Sequence, residues 1–88
     1  MREIEFEREL KVFANRRRLA ILNFLRKRNE ASVGEVASVI RLSFTSTSKH
    51  LTMLERAGFL EKEQRSVEVF YRISSTPPQT YKALSHIF

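Results

Sequence analysis

An α+β fold, mostly helical and confined to one domain over residues 1–88, is predicted by three observations. Apolar residues recur at helical spacing through the first two thirds of the chain, alternation with a period of two takes over after Gly58, and helical spacing returns after Pro77 and Pro78. A chain of 88 residues buries only about 60% of the surface its unfolded form exposes, so a monomer is marginal and a second copy would help.

The first helix is expected at about residues 3–14, where Phe6, Leu10 and Phe13 fall on one face and Glu3, Glu5 and Glu7 lie near the positive end of the helix dipole. Asn15 can cap a second helix running to about Lys27. Its Leu19, Ile21, Leu22, Phe24 and Leu25 form a wide apolar arc, and Arg16, Asn23 and Lys27 share the wet side. Ser32 and Glu35 have the spacing of a capping box, which starts a short third helix with Val36, Val39 and Ile40. Arg41, Leu42 and Ser43 make a tight connection. Ser43 then caps a fourth helix from about Phe44 to Ala57, with Thr47, Leu51 and Leu54 inward and Gly58 as a left-handed end. Two helices joined by so short a turn form a helix-turn-helix unit.

Beyond Gly58 the chain reads as two strands, Phe59–Glu63 and Val67–Ile73, with a hairpin tip at Gln64–Ser66. Ser74 to Pro78 is a linker. Tyr81, Leu84 and Phe88 then mark a last helix at about 79–88.

Sixteen Lys and Arg against ten acids give a net charge of +6, unevenly placed: residues 11–28 carry seven bases and no acid. A basic segment of this kind suits nucleic acid. Cys and Asp are both absent, which excludes disulfides, thiolate metal sites, Cys nucleophiles and any chemistry that needs Asp. No apolar run approaches the roughly 20 residues of a membrane span, and the N-terminus has no apolar signal region. A cytoplasmic protein with no membrane contact is expected. Two glycines cannot build a phosphate loop, and no Ser sits in a strained, glycine-flanked turn as a hydrolase nucleophile would. No catalytic residue and no cofactor is expected.

The candidate site lies on the outward side of the fourth helix. Thr45, Ser46, Ser48, Lys49 and Thr52 are short hydroxyls and one cation, types that allow close approach to base edges in a major groove. Met53 and Arg56 extend that face toward the duplex edge, and no acid precedes Glu55. Arg16, Lys27, Ser43, His50 and Arg56 are candidate contacts to the DNA backbone, and Lys62 and Arg65 are candidate wing contacts near the hairpin tip. Arg18 lies nearer the buried edge of its helix and would brace the helices. Phe6, Leu10, Phe13, Tyr81, Leu84 and Phe88 are the candidate dimer interface.

From Ala14 to Ile73 the chain also resembles the ArsR-type winged helix-turn-helix regulators. The resemblance rests on Ala14 to Leu22, Ser32 to Ala37, Leu42 to Leu51, Leu54 to Leu60 and Val69 to Ile73, in order and without gaps. It implies a winged helix domain with a two-stranded hairpin wing, with the first and last helices as dimerisation elements. It also implies a homodimer that binds an inverted repeat in double-stranded DNA and usually represses.

Several positions depart from the family pattern. Ser32 and Gly34 stand where metal-sensing members carry a Cys pair, and His86 stands alone where others place an Asp and His set on the last helix. No metal site is expected. Ser66 and Val67 occupy the wing positions where the family often has Gly and Arg. Phe44 replaces a residue that is usually polar. It is expected to pack inward, the alternative being contact with a thymine methyl. Two rival functions remain open, a winged helix used as a protein-interaction module and a non-specific architectural DNA binder. The operator and any small-molecule effector are unknown.

Overall fold

The computed structural model describes residues 2–88. Helix α1 (Arg2–Phe13) is followed by α2 (Arg16–Lys27), a short strand β1 (Ala31–Ser32), α3 (Val33–Ile40), α4 (Phe44–Arg56), strands β2 (Leu60–Arg65) and β3 (Glu68–Ile73), and α5 (Gln79–Leu84), which tightens into a single 3-10 turn at Ser85–Ile87.

Local capping defines most of these boundaries. Asn15 Oδ1 accepts from the backbone N–H groups of Arg17 and Arg18 at 3.0 and 3.1 Å, satisfying two donors that the start of α2 leaves open. Ser32 and Glu35 form the capping box reciprocally: Ser32 Oγ accepts from Glu35 N at 3.2 Å, and Glu35 Oε1 accepts from Ser32 N at 2.8 Å. Ser43 Oγ accepts from Ser46 N at 3.1 Å. Gly58 ends the α4 segment at φ +89°, a conformation in which a Cβ would be strained.

The sheet has three antiparallel strands in the order β1-β3-β2. The expected two-stranded hairpin thus gains a third strand, in which Ala31 pairs with Tyr71 and Ser32 with Phe70. Two residues carry too little alternation to announce a strand, and this pairing spans some forty positions of sequence. The tip also shifts. Arg65 pairs with Glu68, so the turn is Ser66–Val67 rather than Gln64–Ser66, and Gln64 and Arg65 belong to the ladder. Ser66 takes φ +56°, the left-handed region in which a two-residue hairpin turn prefers Gly.

The core joins both layers. Ile21, Leu22 and Leu25 of α2, Val36 of α3, Leu51 and Leu54 of α4, and Phe59, Leu60 and Tyr71 at the sheet are buried together. On α3, Val36 and Ala37 are buried while Val39 is exposed. Phe13 stacks on Phe59 with ring centroids 5.8 Å apart and meets Phe88 edge-on at 5.5 Å, which ties both chain ends to the core.

Candidate nucleic-acid interface

The turn between α3 and α4 is closed by a cap on each side. Arg41 closes α3 in the left-handed conformation (φ 59°, ψ 51°), and its N–H, like that of Leu42, turns back to the Ala37 carbonyl. One residue later Ser43 caps α4. A left-handed end beside a capped start fixes the angle between the helices, and so the direction in which α4 leaves the body.

Helix α4 buries Thr47, Leu51 and Leu54. Helical spacing then puts Thr45, Lys49, Thr52 and Arg56 on the opposite side. Thr45, Lys49 and Arg56 are exposed and Thr52 is half-buried. A shallow groove along this side is lined by Ser48, Lys49, Thr52, Met53 and Arg56. Among the described residues, neither Lys49 nor Arg56 makes a salt bridge. Ser46 and Ser48 are half-buried on the two flanks. Ser43 is exposed, and although its oxygen serves the cap its hydroxyl proton remains available to donate.

Behind this face Arg18 braces three elements at once. It is buried; Nε donates to the Val12 carbonyl at 2.6 Å, Nη2 donates to the Lys11 carbonyl at 3.3 Å, and Nη1 lies 3.2 Å from His50 Nδ1. An Arg has no acceptor, so Nδ1 accepts and a neutral His50 carries its proton on Nε2. Burial, and then the charges of Arg18 and Arg17, hold the His50 imidazole below its ordinary pKa. The arrangement accounts for the end of α1. Ala14 N takes the Leu10 carbonyl and Asn15 N takes that of Phe13, leaving Lys11 and Val12 to Arg18. His50, a candidate backbone contact, therefore has one ring nitrogen committed internally and is half-buried.

The basic stretch at 11–28 is divided by the fold. Lys11 pairs with Glu7, and Arg28 pairs with Glu35 while lying over the Phe24 ring. Arg26 donates to Asn23 and to the Phe88 carbonyl, and Arg18 is buried. Of the seven cations, Arg16, Arg17 and Lys27 are left exposed with neither a salt bridge nor a side-chain hydrogen bond among the described residues. Sequence reasoning had passed over Arg17, and likewise Arg41, which is exposed in the turn. The legible signal for Arg17 was the first turn of α2, which has no acid and three consecutive arginines where the helix dipole disfavours cations.

The wing differs most from expectation. Arg65 does not project from the tip. Its guanidinium grips Glu30 with both Nη atoms, bonds Glu63 at 3.0 Å and lies 4.6 Å from the Phe70 ring centroid. These carboxylates push its pKa up. Arg65, a candidate wing contact, is engaged in this structure with carboxylates: the fold brings Glu30 beside the sheet, and Arg72 extends the ladder to Glu61 and Glu63. Lys62 is exposed on the other side of the hairpin, paired across from Tyr71. Phe44 likewise does not pack inward. It is 62% exposed, because as the first residue of α4 it points away from the side that buries Thr47 and Leu51.

The six candidate dimer residues are distributed between core and surface. Phe13 and Tyr81 are buried in the protomer's own core, and Leu84 and Phe88 pack against it. Phe6 and Leu10 remain exposed, with Ile4 beside them in sequence. Thr80, buried at the start of α5, donates to Glu9 at 3.1 Å and holds α5 against α1. Among the described residues no cluster of three or more His, Cys, Asp or Glu is placed to hold a metal ion, and no helix is long and apolar enough to cross a membrane.

Comparison with known proteins bears on this architecture. The transcriptional activator HlyU of Vibrio cholerae is 43% identical over 77 residues, which are 88% of this chain and 70% of that protein. The structure of reduced HlyU from the same organism superposes with a TM-score of 0.82 at 36% identity, covering 99% of this chain and 92% of that one. The homodimeric winged helix-turn-helix DNA-binding domain of Mb0332 from Mycobacterium bovis gives a TM-score of 0.74 at 31% identity, covering 81% of this chain and 65% of that one. The family model for bacterial regulatory proteins of the arsR family matches residues 15–62, from the Asn15 cap through the turn and α4 into β2. With its capped turn, its hydroxyl-bearing fourth helix and its hairpin, the chain belongs to the ArsR family of bacterial regulatory proteins.

Proposed function

We propose that the protein is a transcriptional regulator that binds an inverted repeat in double-stranded DNA as a homodimer. The observation that carries this reading is the outward side of α4, where Thr45, Lys49, Thr52 and Arg56 line up on a helix with no acid in its first turn and, among the described residues, no salt bridge to either cation. Lys49 reads a base edge with the hydroxyls of Thr45, Ser46, Ser48 and Thr52 beside it, while Arg16, Arg17, Lys27 and Arg56 displace counterions from phosphates, with Ser43 and His50 donating to the backbone. Lys62 reaches the adjacent backbone from the hairpin.

The dimer reading is supported by α1. Ten of its twelve residues are exposed or half-buried, and Ile4, Phe6 and Leu10 face solvent. An isolated helix of this length is marginal in water, and a second α1 would cover its apolar residues. Two-fold symmetry then sets half-sites about one helical turn apart. Occlusion of a promoter makes such a dimer a repressor; the V. cholerae relative is named an activator, and the position of the operator decides the sign. Without Cys, any effector acts through groups other than thiolates.

Selection of duplexes from a random library tests this directly. A palindromic consensus is expected, with affinity falling steeply with salt and Lys49→Ala flattening the preference among sequences. Equal loss on all duplexes would demote Lys49 to a phosphate contact, and binding without any preference would favour an architectural role. Sedimentation should show a dimer at micromolar protein. Added Zn(II) should leave the affinity unchanged.

A further inference from the structure

Phe44 occupies an unusual place for an aromatic residue. It is the first residue of α4, 62% exposed, directly after the Ser43 cap and one turn before Ser48. Together with Ser48 it lines a cleft between α4 and the hairpin, whose far rim carries Val67 and Val69 and whose floor is the start of α3 at Val33 and Gly34. Val67, on the turn, is 91% exposed. Phe44 and Val67 thus present two exposed apolar side chains on one cleft, and it is apolar surface grouped in this way, rather than scattered singly, that marks an interaction site.

The surroundings restrict what that occupant is. Thr45 and Lys49 adjoin Phe44 and Ser48 on the helix surface, the helix end contributes positive dipole, and its first turn holds no acid. Glu68, on the hairpin rim, is the one acid of the cleft's lining, so the α4 side favours a partner that is anionic there and apolar where it meets Phe44. In a helix-turn-helix the N-terminal residues of the second helix meet the base edges, and the one apolar feature of the major groove is the thymine C5-methyl group.

We propose that Phe44 is a specificity-determining residue that packs on a thymine methyl in each half-site. This rests on the reading that α4 enters the major groove. The aromatic edge covers the methyl while Ser48 and Lys49 engage the neighbouring polar edges, so the base at that position is read by its methyl group alone.

The test uses the full chain and a duplex obtained by selection, with each thymine replaced in turn by deoxyuridine, which removes only the methyl. Wild-type protein should lose about fourfold in affinity at one position per half-site, the factor that burial of a single methyl-sized group supplies. Phe44→Ser should bind the thymine and uracil duplexes equally, and Phe44→Leu should keep part of the discrimination. Because Phe44 is exposed, all three proteins should melt alike. A wild-type protein indifferent to every replacement, or a Phe44→Ser variant that discriminates as well as wild type, overturns the assignment and leaves the major-groove reading standing. Loss of the dimer in Phe44→Ser assigns the residue to a protein contact instead and overturns it too. Failure of wild type to bind any duplex removes both readings together.

Discussion

Replacing Arg18 with Met keeps an unbranched apolar stem under α1 and deletes the guanidinium. Two carbonyls at the end of α1 then lose their donors: that of Val12, held at 2.6 Å in a buried bond, and that of Lys11, held at 3.3 Å in a half-buried one. Leaving a buried acceptor unpaired costs about 1–3 kcal/mol; the short Val12 bond belongs in the upper part of that range and the long Lys11 bond in the lower. Removal of a buried cation works in the opposite direction, since burial already pushes the Arg18 guanidinium below its ordinary pKa, and an apolar side chain of similar length avoids that desolvation. The balance is a destabilisation of about 2 kcal/mol, which for a domain of this size lowers the melting temperature by roughly 8–16 °C. Urea and thermal unfolding at one fixed protein concentration measure it, so that dimerisation contributes equally to both proteins. Arg18→Lys keeps the charge and loses the planar fork, and should fall between the two. A change below about 0.5 kcal/mol, or a gain in stability, would refute the account of α1 given above, because the two carbonyls would then be satisfied without Arg18.

Three further outcomes are expected. The His50 pKa is held low by burial and by the charges of Arg18 and Arg17, so the unfolded chain binds the proton more readily than the folded one. The His50 contribution to stability is therefore complete above the ordinary value of 6.5 and is lost as pH falls from there through the lower folded value. His50→Asn should flatten that part of the stability profile between pH 7 and 5, as read by chemical unfolding at each pH. Thr47 is fully buried and its hydroxyl has no partner among the described residues; Thr47→Val should stabilise by about 1 kcal/mol in the same assay. Ser66→Gly should add about 0.5–1 kcal/mol by relieving the positive φ at the hairpin turn, without altering the α4 face, and DNA affinity by fluorescence anisotropy should change less than twofold.

Most of the helical frame was legible because its signals are local. Asn15, Ser32 with Glu35, Ser43 and Gly58 act on backbone groups within a few positions, and their roles in the structure are the ones their spacing predicts. The buried side of α4 followed from periodicity for the same reason, and with it the outward placement of Thr45, Lys49 and Thr52. Phe44 was misplaced because hydrophobicity was weighed without the direction of the helix: the first residue of α4 lies outside the arc of Thr47, Leu51 and Leu54.

The charge pattern shows where sequence reading stops. Seven cations in residues 11–28 determined that the chain is locally basic and suited to a polyanion. Tertiary structure decided which of them are free, leaving Arg16, Arg17 and Lys27 once Arg18 had gone to Val12 and His50 and Arg28 to Glu35. The same holds for Arg65, drawn to Glu30 across 35 positions, and for β1, which exists only because Ala31 meets Tyr71. Helix caps and faces are set by neighbours within one or two turns, so a sequence carries them openly. Ion pairs and strand pairings as distant as Arg65 with Glu30 or Ala31 with Tyr71 join residues far apart in sequence, and that choice is made by packing.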